Sequence, residues 1–80
     1  MTLHARYLVY PEGDMQEAPV DLRINQVVDL NGNPLTAPIR TVRMIAYRVF
    51  RITRKETRAE NNTYYWLELV RPAELAEFLG

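Results

Sequence analysis

From Leu3 to Tyr10 the side chains alternate: Leu3, Ala5, Tyr7 and Val9 share one parity, and His4, Arg6, Leu8 and Tyr10 the other. The pattern predicts a strand that ends at Pro11. The acidic stretch "PEGDMQEAP", with Gly13 inside it and proline at both ends, predicts a loop. Alternation is longest in "VDLRINQVVDL", where Val20, Leu22, Ile24, Val28 and Leu30 hold one parity and Gln26 alone interrupts it. Such a run predicts a half-buried antiparallel strand over residues 20–30. Asn31 and Gly32 follow at once, the pair favoured in a tight turn because both tolerate positive φ. Pro34 and Pro38 then keep the chain irregular or at a sheet edge.

Residues 40–58 admit two readings. On a helical wheel the basic residues gather on one arc, opposite Val42, Ile45, Ala46, Val49, Phe50 and Ile52, which fits an amphipathic helix. The side-chain types favour a strand over 42–54. Val42, Ile45, Val49, Ile52 and Thr53 are β-branched and Tyr47 and Phe50 aromatic, types that lose rotamer freedom in a helix and pack well on a pleated sheet. As a strand, Val42, Met44, Ala46, Phe50 and Ile52 share a face that Arg48 breaks, and a β-bulge near Val49 would absorb the misfit. The polar "KETRAENN" and the strand-like "TYYWLELV" behind it complete a hairpin. The tail "RPAELAEFLG" places Pro72 at a first helical position and Glu74 in the first turn. Leu75, Phe78 and Leu79 form its apolar stripe, so it predicts a short helix capping an open end of the sheet.

The expected fold class is therefore all-β: a small, strongly bent antiparallel sheet or an SH3-like or OB-like partly closed barrel, with a short C-terminal helix. The alternative is α+β, in the order ββαβ with a helix over 40–58. Eighty residues make one domain, 1–80. A chain of this length buries only about 60% of its unfolded surface, and without cysteine no disulfide staples it. Association with a partner or with itself is one remedy. The strand "TYYWLELV" has only Glu68 to guard it as an edge. It should lie mid-sheet or in a homodimer with Trp66 near the contact.

Neither a signal-peptide pattern nor an apolar run long enough to span a bilayer is visible, so a cytoplasmic protein with no membrane role is expected. The sequon Asn61-Asn62-Thr63 then carries no meaning. Formal charge is zero but unevenly distributed, with seven basic residues and one acid between Arg40 and Arg58 and an acidic excess on either side. His4 is the single histidine, and there is no serine and no cysteine. Zinc sites and nucleophilic triads are excluded within one chain. Glu12, Asp14 and Glu17 lack the spacing of a calcium loop. No cofactor and no catalysis are expected.

A surface constellation remains. In the hairpin, Tyr64, Trp66 and Glu68 share one face, beside arginines, and the candidate binding residues are Arg43, Arg48, Arg51, Arg54, Tyr64 and Trp66. Aromatic residues and arginine supply hot spots in protein interfaces, and the same residues serve single-stranded nucleic-acid binders, where bases stack on rings. Against both stands a plainer role, with Trp66 in the core and the arginines balancing nearby acids. Nucleic-acid binders commonly carry a clear basic excess, which this chain lacks. The expectation is a small non-enzymatic interaction module for a protein partner or a second copy, with nucleic acid as the alternative.

Overall fold

The β-branched and aromatic residues between Ala46 and Leu69 form a long antiparallel hairpin in the computed structural model, which describes residues 3–79. Its strands are β4 (Ala46–Glu56) and β5 (Glu60–Leu69), joined through a turn in which the Thr57 N–H donates to the Glu60 carbonyl at 2.8 Å. β1 (Leu3–Val9) lies parallel to β5 on its other side, with Leu8 beside Tyr65 and Val9 beside Trp66. Two short edge strands complete the sheet, β2 (Met15–Glu17) against β1 and β3 (Val27–Asp29) against β4. The order is β2-β1-β5-β4-β3, a curled mixed sheet forming a half-barrel. Pro72 opens a short helix, α1 (Pro72–Leu75), continued by a 3₁₀ turn over Ala76–Phe78. The mostly-β class with a short C-terminal helix is as expected, and residues 46–56 are strand, not helix.

The "TYYWLELV" segment lies in the middle of the sheet, which explains why it carries no edge charge but Glu68. β4 and β5 step out of register between Val49 and Arg51, so a bulge sits where the Arg48 misfit calls for one. Its effect on the faces differs from the expectation. Tyr47, Val49 and Ile52 face inward, Phe50 is the extra residue and stays exposed, and Ala46 belongs to the outer face. Val42 and Met44 precede the strand in irregular chain, half-buried against the second apolar cluster.

The long strand expected over 20–30 is reduced to three residues. A turn over Arg23–Gln26 interrupts it, with Asn25 at φ +69° and the Gln26 side chain accepting the Arg23 N–H at 2.9 Å. Leu22 and Val28 are buried, whereas Val20, Ile24 and Leu30 are exposed. Between Arg23 and Gln26 the chain bonds to itself and leaves the ladder, and only Val27–Asp29 pairs along β4. "PEGDMQEAP" holds a short edge strand as well as a turn. At the tight turn, Asp29 Oδ1 accepts the N–H groups of Asn31 and Asn33 at 2.8 and 3.0 Å, and Gly32 takes the left-handed conformation with φ +86°.

Two apolar clusters sit on opposite faces. The inner one gathers Leu8, Leu22, Val28, Val49, Tyr65 and Leu67, together with Tyr10 and Tyr47 in edge-to-face contact at 5.1 Å. Burial raises both phenols above the ordinary tyrosine range, and the Tyr10 hydroxyl donates to the Leu30 carbonyl at 2.8 Å. The outer cluster joins Val27, Ala46 and Val70 to Leu75 of the helix, roofed by Phe78, Ile39 and Met44.

Gly32 gives a sharp test of this packing. A methyl group there would overlap Leu8 Cδ1, and Leu8 is fully buried. Gly13 has the same backbone sign, with φ +98°, but open space around it. Gly32→Ala should therefore destabilise by about 2–4 kcal/mol and Gly13→Ala by only about 1 kcal/mol. Paired urea denaturation curves measure the difference.

Candidate interaction face

On the outer face, cross-strand pairing sets which residues stand together. Arg51 is opposite Trp66, Thr53 opposite Tyr64, and across the parallel pairing Tyr7 is beside Tyr64 and Val9 beside Trp66. The rings of Tyr7 and Tyr64 stack at 5.6 Å between centroids. The Arg51 guanidinium lies 6.0 Å from the centre of the Trp66 ring, a cation–π distance. The indole N–H of Trp66 donates to Thr53 Oγ1 at 2.9 Å, which fixes the ring on the sheet. Trp66, Tyr64 and Tyr7 are only half-buried. Val9, Met15 and Lys55 join Tyr64 and Trp66 around a shallow groove of about 320 Å³.

The six candidate residues divide. Arg51, Tyr64 and Trp66 are brought together. Arg54 shares the inner-face parity of Thr63 but stands at the sheet edge, where it borders both the outer groove and a trough on the inner side. Arg43 lies in the irregular segment before β4, away from the rings in the fold. Arg48 is on the outer face but engaged: its guanidinium contacts Glu74 at 2.6 Å and Glu68 at 3.6 Å. It pins the helix to the sheet at the boundary between the covered and the bare halves of the face. Tyr7 and Met15 are members that pattern reading missed. Tyr7 shares a parity with Val9, but nothing local says that β1 pairs with β5.

Residues 2–78 match the family model described as "Uncharacterised Treponema protein". The chain belongs to that family. Neither a curated protein nor a solved structure matches it.

Among the described residues of this family member, no three metal-ligating side chains converge and no helix is long and apolar enough to cross a membrane. Among the same residues, no buried side-chain polar atom is left without a hydrogen-bond partner. The electrostatics of the face rest on the Arg48 pair. The hydrogen bond from Arg48 holds the Glu74 carboxyl below its ordinary range and raises the arginine in turn. A carboxyl depressed in the folded state contributes stability above its unfolded pKa and loses it as pH falls through the folded value. Wild-type protein and Glu74→Gln should thus differ most in Tm near neutral pH and converge on acidification through and below the ordinary glutamate range. Thermal melts from pH 7 to pH 3 check this.

Proposed function

We propose that this protein is a small, non-enzymatic interaction module that docks a protein partner, or a second copy of itself, through the bare half of its outer face. The supporting observation is the convergence of Trp66, Tyr64 and Arg51 on rigid, adjacent strands beside the apolar Val9 and Met15. The rings are fixed before binding, by the indole hydrogen bond and the tyrosine stack, so little side-chain entropy remains to be lost. Half-exposed aromatic residues with a neighbouring arginine form the residue set that carries most of the energy in protein interfaces. Glu17 and Glu68 share this face with Arg51 and Lys55 and leave it close to neutral. That balance suits a protein surface better than a phosphate backbone.

The row of rings also supports a second reading, a single-stranded nucleic acid stacking on Tyr7, Tyr64 and Trp66. Site-specific photocrosslinking in cells of the source organism compares a reactive group at Tyr64 with one at the buried Tyr65. The protein reading expects one defined adduct from position 64 alone. With that protein purified, Trp66→Ala and Arg51→Ala should each weaken binding by about 10- to 100-fold, the range of a hot-spot residue. A self-docking face would instead show a dimer in sedimentation that Trp66→Ala dissolves. Tight binding of a short oligothymidylate that quenches Trp66 and falls steeply with salt would transfer the face to the nucleic-acid reading.

A further inference from the structure

The inner face of the half-barrel is filled at one end and empty at the other. Residues 18–26 cross the filled end from one sheet edge to the other. The Ala18 N–H donates to the Arg6 carbonyl at 2.8 Å, and the Asn25 N–H to the Val49 carbonyl at 2.7 Å. Beyond this strap, towards the hairpin tip, lies an open trough of about 560 Å³ whose apolar floor is formed by Leu22, Ile52 and Tyr65.

One wall of the trough is a free strand edge. β3 pairs only with Ala46–Arg48, and its loop adds bonds at Val49, so the outer side of β4 beyond the bulge has no partner among the described residues. The Thr57 N–H donates to the Glu60 carbonyl and the Glu60 N–H to Thr57 Oγ1, and the alternation of an antiparallel ladder then sets Arg51, Thr53 and Lys55 toward β5. The N–H and C=O groups of Ile52, Arg54 and Glu56 consequently point outward. An edge with such groups exposed is a template for another strand.

The charges on this edge select the occupant. Arg51, Arg54 and Lys55 line it, and none of them forms an ion pair among the described residues, whose pairs involve Arg6 and Arg48. Glu56 is the single acid between Ala46 and Glu56. Antiparallel pairing of two copies through β4 would set these cations against one another, which is destabilising between strands. An acidic segment meets the opposite sign.

We infer that the free edge of β4 over Ile52–Glu56 receives an extended acidic segment of a partner protein as an added strand. The segment places a carboxylate near Arg54 and an apolar side chain over Ile52 and Leu22. This site adjoins the Trp66 face and shares Arg51 and Lys55 with it, but it pairs through the outward backbone groups of Ile52, Arg54 and Glu56, so its fate does not depend on that reading.

The test uses the full ¹⁵N-labelled chain and a capped ten-residue peptide alternating glutamate with valine and threonine, beside a control with lysine for glutamate. The acidic peptide should bind, moving the amide signals of Ile52, Arg54 and Glu56 most, and the lysine peptide should bind at least tenfold more weakly. Arg54→Pro removes an outward N–H that the fold does not use, which edge strands tolerate, and should weaken binding at least tenfold. Arg54→Glu should do the same by charge, and it decides alone if the proline variant does not fold. The inference is overturned if no shift appears at millimolar peptide, if the shifts centre on Trp66, or if Arg54→Glu leaves the affinity unchanged. A peptide-free dimer with these edge amides protected would give the edge to a second copy and overturn it equally.

Discussion

Between Val49 and Arg51 the ladder of β4 steps by one residue against β5, and Phe50 has no partner of its own. Side chains on a strand alternate with a period of two, so one inserted residue inverts the parity of everything beyond it. Before the bulge, Tyr47 and Val49 face the core; after it, Ile52 does. Without the insertion Arg51 would point inward, toward Leu22 and Tyr65, and Ile52 outward toward water. The contact with β3 ends at the same place, where the Arg23–Gln26 turn takes that chain off the ladder. One irregularity therefore sets the inner core and puts Arg51 over Trp66, and the edge of β4 beyond it is left open.

The outer face is divided along Arg48. On one side Leu75, Phe78 and the irregular chain before β4 cover Val27, Ala46 and Val70. On the other side the rings of Tyr7, Tyr64 and Trp66 meet solvent. Arg48 bridges the two by holding Glu74 of the helix and Glu68 of β5. An arginine is suited to this seam, since its planar fork donates to two carboxylates at once while its stem covers apolar surface. The three-residue edge strand β2 protects the sheet by brevity and β3 is covered by the chain at Asn33–Leu35, whereas the middle of the sheet belongs to the most β-prone segment.

How much of this was legible depends on the range of the interaction that decides it. The hairpin could be read because β-branched and aromatic residues state a local preference, and the bulge because Arg48 interrupts an otherwise apolar parity. The turn at Asn31 and Gly32 and the helix from Pro72 rest on backbone constraints within a few residues. The strand expected over 20–30 failed in its first part because alternation reports burial, and Leu22 is buried without a ladder, whereas Val28 keeps its place opposite Tyr47 in β3. Asn25 in the left-handed region and the Gln26 side chain supply the local bonds instead, and the break in parity at Gln26 was their trace. The parallel pairing of β1 with β5 left no local trace, so Tyr7 and Met15 went unseen as neighbours of Tyr64 and Trp66. Arg48 looked like its neighbours in composition, and only Glu74, 26 residues away, distinguishes it.

Amide hydrogen exchange, residue by residue, tests most directly the claim that β5 is central and that the β4 edge beyond the bulge is open. Protection should be high along β5 from Thr63 to Trp66, where both sides of the strand are paired. Beyond the bulge it should alternate, with Thr53 and Lys55 slow and Ile52, Arg54 and Glu56 fast. Uniform protection from Arg51 to Glu56, or rapid exchange at alternate positions along β5, would contradict the account.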